Sequence, residues 1–291
     1  EIGDIIYGCV SQRTEQDNDV AREAVLAAGF PVEVPGASVN RFCGSGLSAT
    51  NMAAHAIMAG QEDLMISGGV EHMTRVPMNI EFKMVGSALD ERYPDLISQG
   101  LAAEMVAEKY RFDRRSLDEF AATSQRRAGI AWEEGRFKRS ILPVKVKTAD
   151  GKEVVISQDE HLRPQTTADI LAGLKPVFKP NGVIHAGNSS GIVDGAAAVL
   201  LASKKACAKY GFRPRAKIVA TQEVGCEPVI MLLGPISATQ KILKKSGVSL
   251  RQIDLFEVNE AFAPVPLAWA KELGADLGKT NVNGGAIALG H

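Results

Sequence analysis

Three features of the 291-residue sequence predict an α/β fold: short β-branched runs alternate with helix-like stretches, the strand-like runs are apolar enough to be largely buried, and glycines punctuate the joins. The opening run IGDIIYGCV is a strand, and DVAREAVLAAGF is a helix. ASVNRF is a second strand. The run from Phe42 to Gln61 carries no charged side chain and predicts a helix buried on nearly every side, and DLMISGGVE follows it as a third strand, with Gly60 and Gly68-Gly69 marking element ends.

From about Val76 to Asn181 charged amphipathic segments replace this pattern, which predicts an inserted or separate layer. SLDEFAATSQRRAGIAWEEGRF has helical spacing, with Asp113 or Ser116 as its cap and Ser116 with Glu119 matching a capping box. VKVKTADGKEVVIS predicts a hairpin turning at Asp150-Gly151. The α/β pattern resumes at GNSSGIVDGAAAVLLAS and continues through RPRAKIVATQEV, the helix-like ISATQKILKKSG, and IDLFEVNEAFAPVPLAWAKELG, where an apolar strand precedes a helix. IGDIIYG is echoed by IDLFEVNE, and MISGGVE by NVNGGAIA, so two similar halves are indicated.

With 45% hydrophobic residues and a net charge of −1, the chain can bury a substantial core and lacks the broad basic footprint of a nucleic-acid binder; small anionic ligands stay open. Cys9, Cys43, Cys207 and Cys226 have no CxxC spacing, which speaks against a zinc site or a disulfide framework and for a reducing, cytoplasmic setting. His55, His72, His161 and His185 show no metal-ligand spacing, and structural or surface roles are favoured for them. No stretch reads as a signal peptide or membrane span. Both ends look cut, Glu1 leading straight into a strand and His291 stopping inside a Gly-rich string.

Three residues are candidates for chemistry. Cys43 precedes Gly44-Ser45-Gly46 and a run of small residues, which places its sulfur at a strand-to-helix bend. There a helix dipole favours thiolate over a thiol that titrates at about 8.5 when free, and the cysteine's own N–H can help bind an oxyanion. A small buried hydrophobe is the competing account. Asn259, at the end of the strand IDLFEV, can hold a water or orient a ligand carbonyl; an ordinary helix cap, with Glu260 as part of it, is the stronger local reading. His291, after a Gly-rich loop, can take the Cys43 proton, or as a terminal residue be disordered.

VNRFCGSGLSA, GGVEHMTRVPM, AGNSSGIVDGAAAVLL, VNEAFA and NVNGGAIALGH, in this order and at these separations, resemble the thiolase family, and the likeness runs from Glu1 to His291. The resemblance implies a five-layered αβαβα fold from two similar half-domains with an inserted loop domain. Its divisions would be 1–75 for the N-terminal half-domain, 76–182 for the loop domain, 183–206 for the return to the first half and 207–291 for the C-terminal half-domain. It also implies coenzyme A thioester chemistry in which His291 activates Cys43. The cysteine takes the acyl group of a 3-ketoacyl-CoA as acetyl-CoA leaves, and CoA accepts the shortened chain; condensation of two acetyl-CoA is the reverse. Asn259 would hold a water that completes an oxyanion site with His291.

Further roles follow from the resemblance. Arg163 would lie near the CoA nucleotide, Phe178 and Ala186 would line the pantetheine tunnel, Ser190 would contact the pantetheine, and Phe262 would wall the acyl pocket. CoA is a substrate, with no permanently bound cofactor and no metal; a homodimer or homotetramer is implied. The family's second cysteine belongs to a CxGG block after the GH motif, and the sequence stops before that block, so it reads as a fragment. A His-Met pair typical of the short-chain biosynthetic type is replaced by Ser98-Gln99-Gly100, which favours a broader or degradative 3-ketoacyl-CoA thiolase. Two rivals are a β-ketoacyl synthase-like condensing enzyme, disfavoured because Asn259 stands where a second histidine belongs, and an inactive thiolase-fold protein that binds CoA or lipid.

Overall fold

A computed structural model describes residues 1–78 and 87–291. Residues 79–86, part of the segment read as a loop domain, lie outside the described residues. In chain order the elements are β1 (Asp4–Gly8), α1 (Val20–Ala27), β2 (Gly36–Val39), α2 (Ser45–Met58), β3 (Leu64–His72), α3 (Ser87–Arg92), α4 (Gln99–Tyr110), α5 (Arg114–Glu133), β4 (Val144–Lys147), β5 (Glu153–Ile156), α6 (Ala168–Ala172), β6 (Asp194–Ala202), α7 (Lys204–Tyr210), α8 (Gly234–Ser246), α9 (Pro264–Leu273) and α10 (Ala286–Leu289). The chain divides into two compact units, one of Glu1–Lys83, Ile192–Glu223 and Lys244–Ser246, the other of Met84–Gly191, Val224–Leu243 and Gly247–His291.

The first unit is a four-stranded sheet in the order β2-β1-β3-β6. β1 pairs in parallel with β2 and β3, and β3 pairs antiparallel with β6 from Leu64↔Ala202 to His72↔Asp194. Alternation along β1 sorts two cores. Ile6 packs with Met65, Leu201 and the alanines Ala49, Ala53 and Ala54 of α2, whereas Ile5 packs with Val25 of α1 and with Val34. Small residues on α2 bring its axis close to the sheet, and that closeness aims its first turn at the end of β2.

α2 is buried along one stripe only, since Leu47 is 69% and Met58 58% exposed. The all-round burial predicted from its missing charges is therefore corrected: the sheet covers one side, and the other faces solvent among the described residues. β6 is likewise exposed along most of its length, and it lies at the edge of the sheet with β3 as its ladder partner. RPRAKIVATQEV forms no strand. Instead Thr221 Oγ1 lies 2.5 Å from His55 Nε2, and Glu223 Oε1 accepts from Asn51 Nδ2 at 2.6 Å, so side chains tie this segment to α2 in place of a ladder.

The second unit is mainly helical. Its core joins Ala103 and Ala107 of α4, Leu117 and Ala121 of α5, Leu171 of α6, Val265 of α9 and Ile287 of α10 with Ile184 and Phe262. α5 starts at Arg114 with Asp113 as N-cap, the Asp113 carboxylate accepting from Ser116 N at 2.8 Å. Ser116 thus sits inside the first turn, too late for the capping box that its spacing to Glu119 suggests. β4 and β5 form the hairpin read at Asp150-Gly151. IDLFEV is not a strand: Phe256 makes one isolated parallel bridge to Thr280, through Phe256 N to Lys279 O and Asn281 N to Phe256 O, each 2.9 Å. A strand needs successive bridges, and its continuation toward Asn259 is pinned by side chains instead.

Ala53→Leu inserts a side chain where α2 meets the sheet and is expected to lower unfolding stability by about 1–3 kcal/mol. Met58→Leu, on the exposed stripe, is expected to change it by less than about 0.5 kcal/mol. Urea unfolding of the two variants measures both.

Candidate active site

Cys43 lies in the tight turn between β2 and α2 and is exposed. Ser45, the first residue of α2, locks this turn: its Oγ accepts from Arg41 N at 2.8 Å and donates to Phe42 O at 2.6 Å. Asn40 Oδ1 accepts from Phe42 N at 2.8 Å, and Phe42 adopts φ +47°. Gly44 caps the helix, leaving Cys43 immediately outside its N-terminus. The bend read from the sequence is present, and the reading of Cys43 as a buried hydrophobe is not.

Asn259 and His291 come together in the second unit, with Asn259 Nδ2 3.4 Å from His291 Nε2. They share a cavity of about 440 Å³ with Glu257, Asn283, Phe137 and Gly290. His291 is exposed at its edge but ringed by protein, and this desolvation lowers its pKa below the ordinary histidine value. Neutral Nε2 then offers a lone pair to the Asn259 amide. Desolvation and the neighbouring Glu260 raise the Glu257 carboxyl in the same cavity.

Two readings are corrected here. Asn259 is no helix cap, because the N-cap of α9 is Ala263, and Glu260 is no cap either. Its carboxylate is 1% exposed and accepts from Ser124 Oγ at 2.6 Å, Asn281 Nδ2 at 2.8 Å and Ile287 N at 3.1 Å. Burial raises its pKa against the opposing pull of those donors. The Gly284-Gly285 pair belongs to this packing. A Cβ on Gly284 would lie 2.6 Å from the Ser124 carbonyl oxygen, and one on Gly285 would overlap the Glu260 carboxylate.

Arg163 and Ala186 line a second cavity of about 230 Å³ with Gln125, His161, Thr166 and Ile287. Gln125 ties two sides of it together, its Oε1 accepting from Arg163 N at 2.7 Å and its Nε2 donating to Ile287 O at 3.2 Å. Phe178 and Phe262 meet edge to face with ring centroids 5.9 Å apart, and the Phe178 ring lies where a Cβ on Gly100 would be. Ser190 N donates to Ala261 O at 2.9 Å, beside an isolated bridge between Ser189 and Phe262. The second unit therefore groups Asn259 with His291, Arg163 with Ala186, and Phe178 with Phe262 and Ser190. Cys43 belongs to the first unit.

A buried cluster positions Ala186. Asp118 Oδ1 lies 2.7 Å from His185 Nε2 and accepts from Asn188 Nδ2 at 3.0 Å, while Oδ2 accepts from Arg114 Nε at 2.7 Å. His185 Nδ1 accepts from Gly187 N at 3.0 Å, so Nε2 carries the hydrogen donated to Asp118. Sequence reasoning did not assign Asp118, Ser124, Gln125 or the buried role of Glu260. The signal was present in α5, whose buried face interleaves Asp118, Ser124 and Gln125 with Leu117, Ala121 and Ala128. Polar side chains on a core stripe mark hydrogen-bonded partners elsewhere in the chain.

Two family profiles match, "Thiolase, N-terminal domain" over residues 1–205 and "Thiolase, C-terminal domain" over 212–291. This chain belongs to the thiolase family. It is 46% identical to the beta-ketoadipyl-CoA thiolase of Acinetobacter baylyi, covering 100% of this chain and 77% of that protein. To the 3-ketoacyl-CoA thiolase of Vibrio vulnificus strain CMCP6 it is also 46% identical, covering 100% and 76%. Among solved structures it is similar to the Bacillus anthracis acetyl-CoA acetyltransferase, with a TM-score of 0.90 at 40% identity over 100% of this chain and 76% of the other. The dimeric peroxisomal thiolase of Saccharomyces cerevisiae gives a TM-score of 0.91 at 38% identity, over 100% of this chain and 74% of the other. The protein has the thiolase fold and is a CoA-dependent acyltransferase.

Among the described residues of this thiolase no helix is long and apolar enough to cross a membrane, and no three His, Cys, Asp or Glu side chains cluster as metal ligands would.

Burial alone would raise the Asp118 pKa, but donation from His185 and Arg114 outweighs it, and the carboxyl titrates below its ordinary range. A carboxyl depressed by folding contributes stability above its unfolded pKa, about 3.9, and loses that contribution as pH falls through the folded value. Asp118→Asn is therefore expected to cost roughly 3–5 kcal/mol near neutrality. The gap to wild type should narrow below about pH 4, as followed by urea unfolding across pH.

Proposed function

We propose that this thiolase cleaves 3-ketoacyl-CoA with Cys43 as the nucleophile and His291 and Asn259 as its partners in catalysis. His291 takes the Cys43 thiol proton, the thiolate adds to the 3-keto carbonyl, the C2–C3 bond breaks, and acetyl-CoA leaves as its enolate, which takes up the proton that His291 returns through solvent. The thiol of CoA then attacks the acyl-cysteine, gives up its proton to His291 and leaves as the shortened acyl-CoA, regenerating the Cys43 thiolate. Electrons and protons balance over the cycle, and the reverse sequence condenses acetyl-CoA with the shortened acyl-CoA. His291 acts as base toward thiols, and Asn259 with its water shares in binding the oxyanion.

The observation that carries this reading is the Asn259–His291 pair, 3.4 Å apart on an open cavity in a chain matched end to end by thiolases. A histidine kept neutral by desolvation is suited to accept a thiol proton. We assign Arg163, Phe178, Ala186, Ser190 and Phe262 to CoA and acyl binding, supported by the shared cavity of Arg163 and Ala186 and by the contact between the two phenylalanines. The substrate class is a 3-ketoacyl-CoA longer than acetoacetyl-CoA: the relatives are named for beta-ketoadipyl-CoA and 3-ketoacyl-CoA, and Ser98-Gln99-Gly100 stands where a short-chain enzyme carries His-Met. The reading includes half-domains at 1–75 with 183–206 and at 207–291, a loop domain at 76–182, a homodimer or homotetramer, and a cytoplasmic location.

Incubating the intact protein with acetyl-CoA should add one acetyl group at Cys43, detected by mass spectrometry of peptides, and Cys43→Ala should abolish it. Undiminished acetylation of that variant would remove the assignment. In the pH profile of kcat/KM, the acid limb assigned to His291 should lie below the ordinary histidine value, because the lowered pKa keeps the imidazole neutral further into the acid range.

A further inference from the structure

Asn259 and His291 both reach an open cavity, which leaves their approach to the backbone beneath them as well as to the protein around the imidazole. We propose that Glu260, acting with the Ser124 hydroxyl, is the positioning residue that fixes this approach, one buried carboxylate tying the segment of Asn259 to the segment of His291. The proposal rests on the reading that Asn259 and His291 take part in acyl transfer.

Glu260 follows Asn259 directly, so holding its side chain holds the Asn259 backbone. Its Oε2 accepts from Ile287 N at 3.1 Å, in the short helix four residues before His291, and from Ser124 Oγ at 2.6 Å. Ser124 Oγ in turn accepts from Gly285 N at 3.0 Å, at the start of the same helix. Oε1 accepts from Asn281 Nδ2, which also donates to Val258 O, both at 2.8 Å, while Asn281 Oδ1 accepts from Val258 N at 2.8 Å. The two segments are thus joined on both sides of Asn259 and ahead of His291, and fastened through Ser124 to α5.

Every group facing the carboxylate in these bonds is a donor. A neutral amide at position 260 would turn an N–H toward the Asn281 amide or the Ile287 N–H, so the geometry requires an acceptor oxygen at both positions, which an amide of nearly the same size does not supply. A buried carboxylate contributes little net stability against an apolar side chain of the same volume, and its use here is positional. Gly285, which leaves room for the carboxylate, completes the fit.

Glu260→Gln and Ser124→Ala in the intact protein test the inference, with thermal unfolding to establish that each folds. In Glu260→Gln, kcat for thiolysis should fall roughly 10- to 100-fold, the scale of a misplacement near 1 Å. KM should stay within about threefold, the split that separates lost positioning from lost binding. Without substrate, the NMR titration of His291, assigned by its disappearance in His291→Asn, should move up toward the ordinary histidine value in both variants as the imidazole gains solvent. Folded variants that keep both kcat and the His291 titration would overturn the proposal. If Glu260→Gln does not fold, Ser124→Ala decides by the same two readouts. The titration needs no turnover, so a wild-type protein without thiolysis activity would sink the enzymatic reading while the clamp is still judged by NMR.

Discussion

The second unit is organised by the buried polar face of α5. Asp118 holds the turn that carries Ala186, Ser124 holds Glu260 and Gly285, and Gln125 holds Arg163 and Ile287. Arg127 adds donated bonds to the carbonyls of Leu277 at 3.0 Å and Thr280 at 2.6 Å. Four side chains within three turns of one helix thus fasten segments up to about 160 residues away in sequence. Where the group satisfied is buried, leaving it unpaired would cost about 1–3 kcal/mol, which favours this arrangement of the loops over others.

That constraint explains how side chains can be exposed and still have a fixed backbone. Asn259 and His291 face an open cavity. The segments that carry them are joined below by hydrogen bonds of Glu260 and Asn281. In the first unit the turn of Cys43 follows the same logic on a smaller scale, with Ser45 and Asn40 satisfying the backbone groups of a bend that a regular helix start would leave open. Small residues recur for a steric reason in both units: alanines bring α2 onto the sheet, and Gly284-Gly285 brings its loop onto α5.

The sequence made the local elements readable where a short-range rule decides them. α1 and the helices α8 and α9 follow apolar spacing, the β4–β5 hairpin follows Asp150-Gly151, and the Cys43 bend follows Gly44-Ser45-Gly46 ahead of a charge-free run. The misreadings have a common cause. RPRAKIVATQEV and IDLFEV have strand-like composition, but a strand exists only with a partner edge, and their partners are side chains from other elements. The full burial expected of α2 failed because absence of charge permits burial without supplying a neighbour. Asn259 read locally as a cap, since nothing within a few residues of it reports a contact with His291. The roles of Ser124, Gln125 and Glu260 depend on separations of 21 to 162 residues, out of reach of any local pattern.

The central claim is that α5 and Glu260 hold the loop bearing His291 as one rigid piece. Amide hydrogen exchange resolved at Gly285 and Ile287 tests it most directly, because both N–H groups donate to side-chain oxygens of this network. The account predicts protection of these two amides comparable to that of the α5 backbone, despite their place beside an open cavity. Exchange at the rate of unstructured loops in the folded protein would contradict it.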